Sequence, residues 1–202
     1  MSEEVVAAAH VEPRQALMDA AERLLVELGY AGITTRNLAK EAGVNHGLVH
    51  YYFGSMENLF AETLERFTER LIERQRAMYQ ADIPFIEKWR TAMRYLEEEL
   101  ASGYQKVWLE LQALAWNRPD LRGRVARVNT EWRAVLTEAF SEAMLEYRVD
   151  GGEFGVDAIV SLVMTFNEGI ILERHCGIFD GQRELLGVID AWLESLAEKG
   201  RA

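Results

Sequence analysis

The stretch ITTRNLAKEAGVNHGLVHYYF, residues 33–53, decides how this sequence folds. Two short helical segments meet within it at Gly43, where a glycine allows the left-handed backbone of a tight turn. Leu38 and Ala39 give the first segment an apolar face, and the small Ala39 lets the second segment approach closely. The pattern predicts a helix-turn-helix.

The second helix of this motif has one apolar face and one polar face. Val44, Val49 and Phe53 form the apolar face. The other face presents residues suited to hydrogen bonding rather than to burial, namely His46, Gly47, His50 and Tyr51. A helix of about eight residues with such a face fits the major groove of DNA, which is about 12 Å wide. The alternative is a helical hairpin inside an all-α core.

Helical periodicity continues through almost the whole chain on both sides of the motif. Pro13, Pro84 and Pro119 each precede a long apolar-periodic stretch, where a proline suits the first turn of a helix. No run of Val, Ile or Thr alternates with period two for long enough to form a sheet. The sequence therefore predicts an all-α fold of about nine helices.

Helix length changes along the chain, and this change indicates the domain organisation. Short helices occupy about the first 55 residues, and long helices occupy the rest. We expect a three-helix head at residues 1–55, with a flexible tail at 1–12, followed by a six-helix body at 56–202.

The composition limits the classes of protein to which this chain can belong. Of the 202 residues, 49% are apolar and 27% charged, which is typical of a globular chain and not of a disordered one. The first residues lack the basic start and apolar core of a signal peptide, and the longest apolar run is too short to span a bilayer. Cys176 is the single cysteine, so no disulfide can form within one chain. We expect a cytoplasmic protein with no membrane partner.

The helix-turn-helix and the residues that follow it resemble the DNA-binding domain of TetR-family transcriptional regulators. The similarity covers about residues 13–60 with ungapped spacing. Its most specific part is the Tyr-Phe-Gly-Ser step at 52–55, which leads into a long fourth helix. The other helices match, by architecture, the six-helix ligand-binding and dimerisation body of that family.

The resemblance implies a role for each exposed residue of the motif. Thr34 would cap the second helix, and Asn45 would cap the recognition helix. The residues that would bind phosphate are Thr35, Lys40, Tyr51 and Tyr52. The residues that would face base edges are Arg36, His46, Gly47 and His50. Arginine reads guanine through two parallel donors, so Arg36 is expected on a guanine.

Two positions depart from the family pattern. The family usually has Lys where this chain has Met56, so one phosphate contact is expected to be missing. It usually has Tyr where this chain has His50. That replacement is expected to alter the DNA sequence preference, and it can add pH dependence in the range where histidine titrates.

The charge of the chain is unusual for a protein that binds DNA. The net charge is −11, and residues 1–60 carry four basic and eight acidic side chains. Glu41 is the one acid within the motif, and residues 42–56 contain none. Helix N-termini, hydroxyl groups and phenols contact phosphate without a net charge. We expect a shallow salt dependence, with a log–log slope of about −5 or smaller in magnitude for a dimer with three basic contacts per subunit.

The body carries aromatic and polar side chains at spacings that suit a small-molecule pocket. The expected pocket residues are Trp89, Met93, Tyr104, Trp108, Glu110, Gln112, Trp116, Asn167 and Glu168. The segment that contains Trp108, Arg118-Pro119 and Trp132 is similar to the betaine-type regulators of the TetR family. Aromatic rings beside a carboxylate could cage a quaternary amine by cation–π attraction. The alternative is that the aromatic stripes are ordinary core.

The last two helices are apolar on more than one face, so the body of one chain does not suffice to cover them. This predicts a homodimer through a four-helix bundle with two helices from each subunit, as the resemblance also implies. The expected interface residues are Phe166, Ile170, Leu185, Ile189, Trp192 and Leu193. The alternative is that both helices are the central core of a single chain.

These patterns predict a homodimeric repressor that binds a near-palindromic DNA operator and leaves it when an unidentified small-molecule effector binds. Activation in place of repression stays open. One alternative is a small-molecule-binding or protein-interaction module with a degenerate DNA-binding head. Another is an all-α enzyme. The sequence has no Gly-rich phosphate loop, no metal-spaced Cys/His set and no nucleophile elbow, so it predicts no catalytic residue, metal or cofactor.

Overall fold

The computed structural model describes residues 12–149 and 155–201, and across these ranges it contains nine α-helices and no strand. The predicted all-α fold is therefore confirmed. Of the tail expected at 1–12, all but Glu12 lies outside the described residues. The chain divides into two compact units between Leu64 and Glu65, which is later in the sequence than the boundary expected after residue 55.

The first unit contains the short helices and the beginning of the first long one. A single turn of 3-10 helix, Tyr30–Gly32, follows the first helix and was not expected from the sequence. The four helices that begin in this unit are α1 (Pro13–Leu28), α2 (Thr35–Ala42), α3 (Gly47–Phe53) and α4 (Met56–Tyr79).

The second unit contains the rest of α4 and the remaining long helices. These are α5 (Phe85–Ser102), α6 (Tyr104–Asn117), α7 (Pro119–Glu146), α8 (Val156–His175) and α9 (Gln182–Arg201). Helix α7 packs against α6 and α8, and α5 packs against α6 and α9. None of the helices in the described ranges is both long and apolar enough to cross a membrane.

Proline and glycine set the ends of the helices, as the sequence predicts. Pro13 and Pro119 are the first residues of α1 and α7, and Pro84 is the N-cap of α5. Gly43 ends α2 in the left-handed region, with φ 67° and ψ 29°. Its N–H donates to the carbonyl oxygens of Ala39 and Lys40, which closes the turn before α3.

The core of the first unit lies between α1, α2 and α3. Leu17, Leu38 and Val49, one from each of these helices, have no solvent-exposed surface. Burial of an aliphatic side chain of this size stabilises a fold by about 1.5–3 kcal/mol. The apolar faces of α2 and α3 are packed in this core, and residues on their other sides are exposed to solvent.

Candidate DNA-binding surface and ligand cavity

The recognition helix α3 is fixed by the two apolar side chains on its inner face. Val49 is fully buried, and Phe53 is nearly so. The guanidinium of Arg14 lies 5.2 Å from the centre of the Phe53 ring, and the same group pairs with Glu62. These contacts define the orientation of α3 within its own unit, and therefore which of its residues face outward.

Two side-chain caps define where α2 and α3 begin. Thr34 Oγ1 accepts from the backbone N–H of Asn37 at 3.2 Å, and Asn37 Oδ1 accepts from the backbone N–H of Thr34 at 2.7 Å. This reciprocal box confirms the predicted Thr34 cap. Asn45 Oδ1 accepts from the N–H of Gly47, the first residue of α3, at 2.8 Å. Asn45 thus caps α3 from one position before its N-cap, His46.

We define the α2–α3 surface as the seven solvent-exposed candidates of the motif that follow Thr35. They are Arg36, Lys40, Asn45, His46, Gly47, His50 and Tyr51. Tyr51, the one tyrosine of this surface, is 78% exposed. Of the other candidates, Thr34 is exposed but its hydroxyl serves the cap, whereas Thr35 and Tyr52 are half-buried. Most of the candidate DNA contacts of the motif are therefore accessible to a partner.

The charges of the α2–α3 surface are more favourable to DNA than the composition indicates. Glu41, the one acid of the motif, is neutralised by Arg23, whose Nη2 lies 3.0 Å from Glu41 Oε1. Arg36 and Lys40 form no ion pair or hydrogen bond with any described residue, so both cations are available to a partner. Sequence reasoning missed the role of Arg23, because a partner 18 positions away on another helix has no local signal.

His50 makes one hydrogen bond that limits how it can contact a base. Its Nδ1 lies 3.0 Å from the carbonyl oxygen of Gly54. A carbonyl oxygen can only accept, so Nδ1 carries the hydrogen of this bond. The second ring nitrogen, Nε2, is then an acceptor in the neutral ring and a donor in the protonated ring.

The second unit contains a cavity of about 110 Å³ whose walls come from α4 to α8. Six of the nine residues expected from the sequence line it, and they are Trp89, Met93, Tyr104, Trp108, Asn167 and Glu168. The other three lie outside its lining. Gln112 donates from Nε2 to Glu168 Oε1 at 3.2 Å, whereas the side chain of Trp116 is 75% exposed. Glu110 is half-buried elsewhere on α6.

The sequence-based prediction missed four polar residues of the cavity and Trp132. The polar ones are Gln75, Glu99, Gln105 and Asn129. The sequence pattern does indicate two of them, Gln75 and Glu99. Gln75 follows Ile72 and precedes Tyr79 on one stripe of α4, and Glu99 follows Leu96 in the same way on α5. A polar residue within an apolar helical stripe is a candidate for a buried site.

Glu99 is a cavity residue whose carboxyl group has a raised pKa. Burial raises its pKa to about 7, against the opposing effects of the Arg74 charge and of a hydrogen bond from Gln105. Gln105 Nε2 donates to Glu99 Oε2 at 2.8 Å. The hydroxyl group of Tyr104, which also lines the cavity, forms a hydrogen bond with the hydroxyl group of Thr68, which does not.

The predicted interface residues of α8 and α9 fall into three groups by burial. Leu185 and Trp192 are exposed, Phe166 and Ile189 are half-buried, and Ile170 and Leu193 are buried in the core of their own chain. Further exposed apolar side chains on these helices are Leu162, Leu172 and Val188. The apolar surface that remains uncovered is thus formed by a partly different set of residues from the expected one.

In the first unit, the turn at Gly43 joins α2 to α3, and α3 presents a polar face to solvent. This arrangement is typical of DNA-binding regulators of the helix-turn-helix class. Residues 17–63 match the model of the bacterial regulatory proteins of the tetR family. This part of the chain is thus similar to the DNA-binding domain of TetR-family transcriptional regulators.

Similarity to individual regulators extends beyond this domain. The transcriptional repressor AcnR of Corynebacterium glutamicum is 27% identical over 158 residues, which cover 78% of this chain and 77% of that protein. The regulator BetI of Paraburkholderia phytofirmans is 27% identical over 151 residues, or 73% and 77% of the two chains. A regulator from Saccharomonospora viridis, solved in complex with choline, has the same fold, with a TM-score of 0.71, 18% identity, and coverage of 92% and 95%.

Proposed function

We propose that this protein is a homodimeric transcriptional repressor that leaves its operator when a small molecule occupies the cavity of its body. The observation that carries the proposal is the α2–α3 surface, where Arg36 and Lys40 have no partner among the described residues and Glu41 is neutralised by Arg23. Such a protein acts on the chromosome, in the bacterial cytoplasm.

Recognition of DNA would use two kinds of contact from this surface. Arg36, His46, Gly47 and His50 would face base edges, and Thr35, Lys40, Tyr51 and Tyr52 would contact phosphates. Phosphate contacts fix the register of the helix in the groove, and base contacts supply the sequence preference. Two recognition helices about one helical turn apart would read a near-palindromic operator.

The exposed apolar side chains of α8 and α9 support the dimer. Val188 is 66% exposed, Leu162 is 64% exposed and Trp192 is 57% exposed. Apolar side chains on one pair of helices are typical of an interface that a second copy covers. A symmetric four-helix bundle would bury them with two helices from each subunit.

The cavity supports regulation by a ligand. Aromatic walls with a few converging polar groups are typical of small-molecule sites. A ligand weakens DNA binding only if it binds the conformer that is released from DNA more tightly than the conformer that binds DNA. The structure bound to choline, which shares this fold, supports an effector of similar size.

The experiment is fluorescence anisotropy of the full-length protein with labelled DNA from its own upstream region, at several salt concentrations. We expect saturable binding that resists nonspecific competitor DNA. Loss of a good base contact costs about 1–3 kcal/mol, so Arg36→Ala should weaken binding by about 5-fold to 150-fold per site. Arg76→Ala is the matched control, since it removes one exposed arginine from α4 in the other unit.

Equal affinities of the two variants would contradict a role for the α2–α3 surface. Binding that does not exceed the nonspecific background on any upstream fragment would favour the other function, a helical ligand-binding module with a degenerate head. In that case removal of residues 1–55 would leave ligand binding unchanged.

A further inference from the structure

Three oxygen atoms at the wall of the cavity are buried and accept no hydrogen bond. They are Gln75 Oε1, Glu99 Oε1 and Asn167 Oδ1. The side chains of Gln75 and Glu99 are more than nine-tenths buried, at 8% and 7% exposure. Buried acceptors are normally satisfied, because an acceptor removed from water without a donor destabilises the folded state. Three such acceptors around one cavity indicate that a donor is supplied from outside the chain.

No neighbouring side chain in the described part of the chain donates a hydrogen bond to Glu99 Oε1. Gln105 donates to the other carboxylate oxygen, Oε2, at 2.8 Å. Arg74 Nη2 is 3.8 Å from Glu99 Oε1, which is too long for a hydrogen bond, and Arg74 Nη1 donates to Glu98 at 3.1 Å. Glu99 Oε1 therefore takes part in a long ion pair with Arg74 but accepts no hydrogen bond from the described residues, and Arg74 Nη2 likewise donates none.

The charge of the lining favours a cation. Glu99 and Glu168 both line the cavity, and no Lys, Arg or His is among the described residues that do so. Trp89, Trp108 and Trp132 supply aromatic faces, which attract an organic cation. Arg74 lies behind the lining and pairs with Glu99 at 3.8 Å, whereas the carboxyl group of Glu168 accepts a hydrogen bond from Gln112, so an anion would meet two carboxyl groups with no basic side chain in the lining.

We propose that the cavity binds a small organic cation that carries N–H groups, a primary or secondary ammonium with an apolar body. This proposal rests on the proposed function, which places the effector in the cavity, and it adds the chemical class of that effector. An ammonium N–H donates to Glu99 Oε1 and to the amide oxygens of Gln75 and Asn167, and the rings enclose the apolar body. A quaternary ammonium has the charge but no N–H, so it leaves all three acceptors unsatisfied. Burial has raised the pKa of Glu99 to about 7, and a bound cation favours its ionised form.

The test compares three probes that share a 2-phenylethyl group by isothermal titration calorimetry on the full-length protein without DNA, at about pH 8. They are 2-phenylethylammonium, its N,N,N-trimethyl derivative and neutral 2-phenylethanol. We expect the primary ammonium to bind at least about tenfold more tightly than the alcohol, which lacks the charge, and than the trimethyl compound, which keeps the charge but lacks N–H groups and is bulkier. Equal or tighter binding of the trimethyl compound or of the alcohol would overturn the proposal. So would the absence of saturable binding of the ammonium at millimolar concentration.

Variants locate the site. Glu99→Gln should weaken 2-phenylethylammonium by about tenfold or more and leave 2-phenylethanol unchanged. Glu87→Gln is the matched control, an exposed glutamate of the same helix that does not line the cavity. Asn167→Leu tests the second acceptor independently, with the same expected selectivity for the ammonium. Equal losses for ammonium and alcohol in both variants would mean a change of cavity shape, and would overturn the assignment of the acceptors.

Operator binding, measured in parallel, separates this proposal from the proposed function. If the ammonium does not bind but another compound releases the operator, the ligand class is wrong and the repressor stands. If the ammonium binds selectively and the operator affinity stays the same, the ligand class stands and release by this ligand is wrong.

Discussion

Substitution of Glu99 by glutamine should change how the stability of the protein depends on pH. Glu99 is buried, and burial raises its pKa to about 7 in the folded protein from an ordinary value of 4.5. Glutamine keeps the shape of the side chain but cannot ionise. The difference between wild type and Glu99→Gln therefore isolates the titration of this one carboxyl group.

The direction of this pH effect on stability follows from how many protons the folded and unfolded states bind. Between about pH 4.5 and pH 7 the folded protein holds a proton on Glu99 that the unfolded chain has released, so a rise in pH favours unfolding. The gap from 4.5 to about 7 corresponds to about 3 kcal/mol in full, at about 1.4 kcal/mol for each pKa unit. Between about pH 5.5 and pH 8 the wild type should lose about 2 kcal/mol relative to the variant.

The assay is urea denaturation of both proteins at equal protein concentration across this pH range. Since a change of 1 kcal/mol moves the Tm of a chain of this size by about 2–4 °C, thermal melts should show a relative shift of about 4–8 °C. Glu87→Gln is the control, because Glu87 is exposed on the same helix. Parallel curves for wild type and Glu99→Gln would refute the reasoning, since they would mean that Glu99 ionises equally in both states.

The remaining predictions concern the head and the dimer. Thr34→Ala removes the hydroxyl of the capping box and should lower the free energy of unfolding by about 1 kcal/mol in denaturant titration; an unchanged midpoint would contradict the role of the cap. Val188→Glu, at an exposed apolar site of α9, should convert dimer to monomer in sedimentation velocity, whereas Val26→Glu, at an exposed site of α1, should not. The slope of log affinity for operator against log salt should be about 5 or less in magnitude, and a value near 10 would mean many more phosphate contacts than the head provides.

The positions of the helix ends could be predicted from the sequence because the residues that determine them lie close together in the chain. Pro13 and Pro119 are the first residues of α1 and α7, Pro84 directly precedes α5, and Gly43 and Gly54 end helices with positive φ. The apolar face of α3 was likewise predictable from periodicity, with Val49 and Phe53 buried. Each of these features depends on residues within a turn or two of one another.

The polar wall of the cavity could not be predicted in the same way. Gln75 and Glu99 lie on different helices, and only tertiary packing brings both to one cavity. Periodicity shows that a helix face is buried, but not which part of that face lines a cavity. Trp116 shows the reverse error, since its aromatic side chain suggested a pocket and yet lies in solvent. The hydrogen bond from His50 to Gly54 is also invisible to a pattern of residue types.

That bond from His50 would limit the bases that the recognition helix can read. With Nδ1 committed to the Gly54 carbonyl, Nε2 is the ring nitrogen left for DNA, and in the neutral ring it accepts a hydrogen bond. An acceptor at this position matches the amino groups of adenine and cytosine in the major groove. Selection of binding sites from random DNA should then enrich adenine or cytosine at one position of each half-site, and His50→Ala should lose the preference at this position alone. A backbone carbonyl at the end of the helix would in this way take part in reading the operator without touching it.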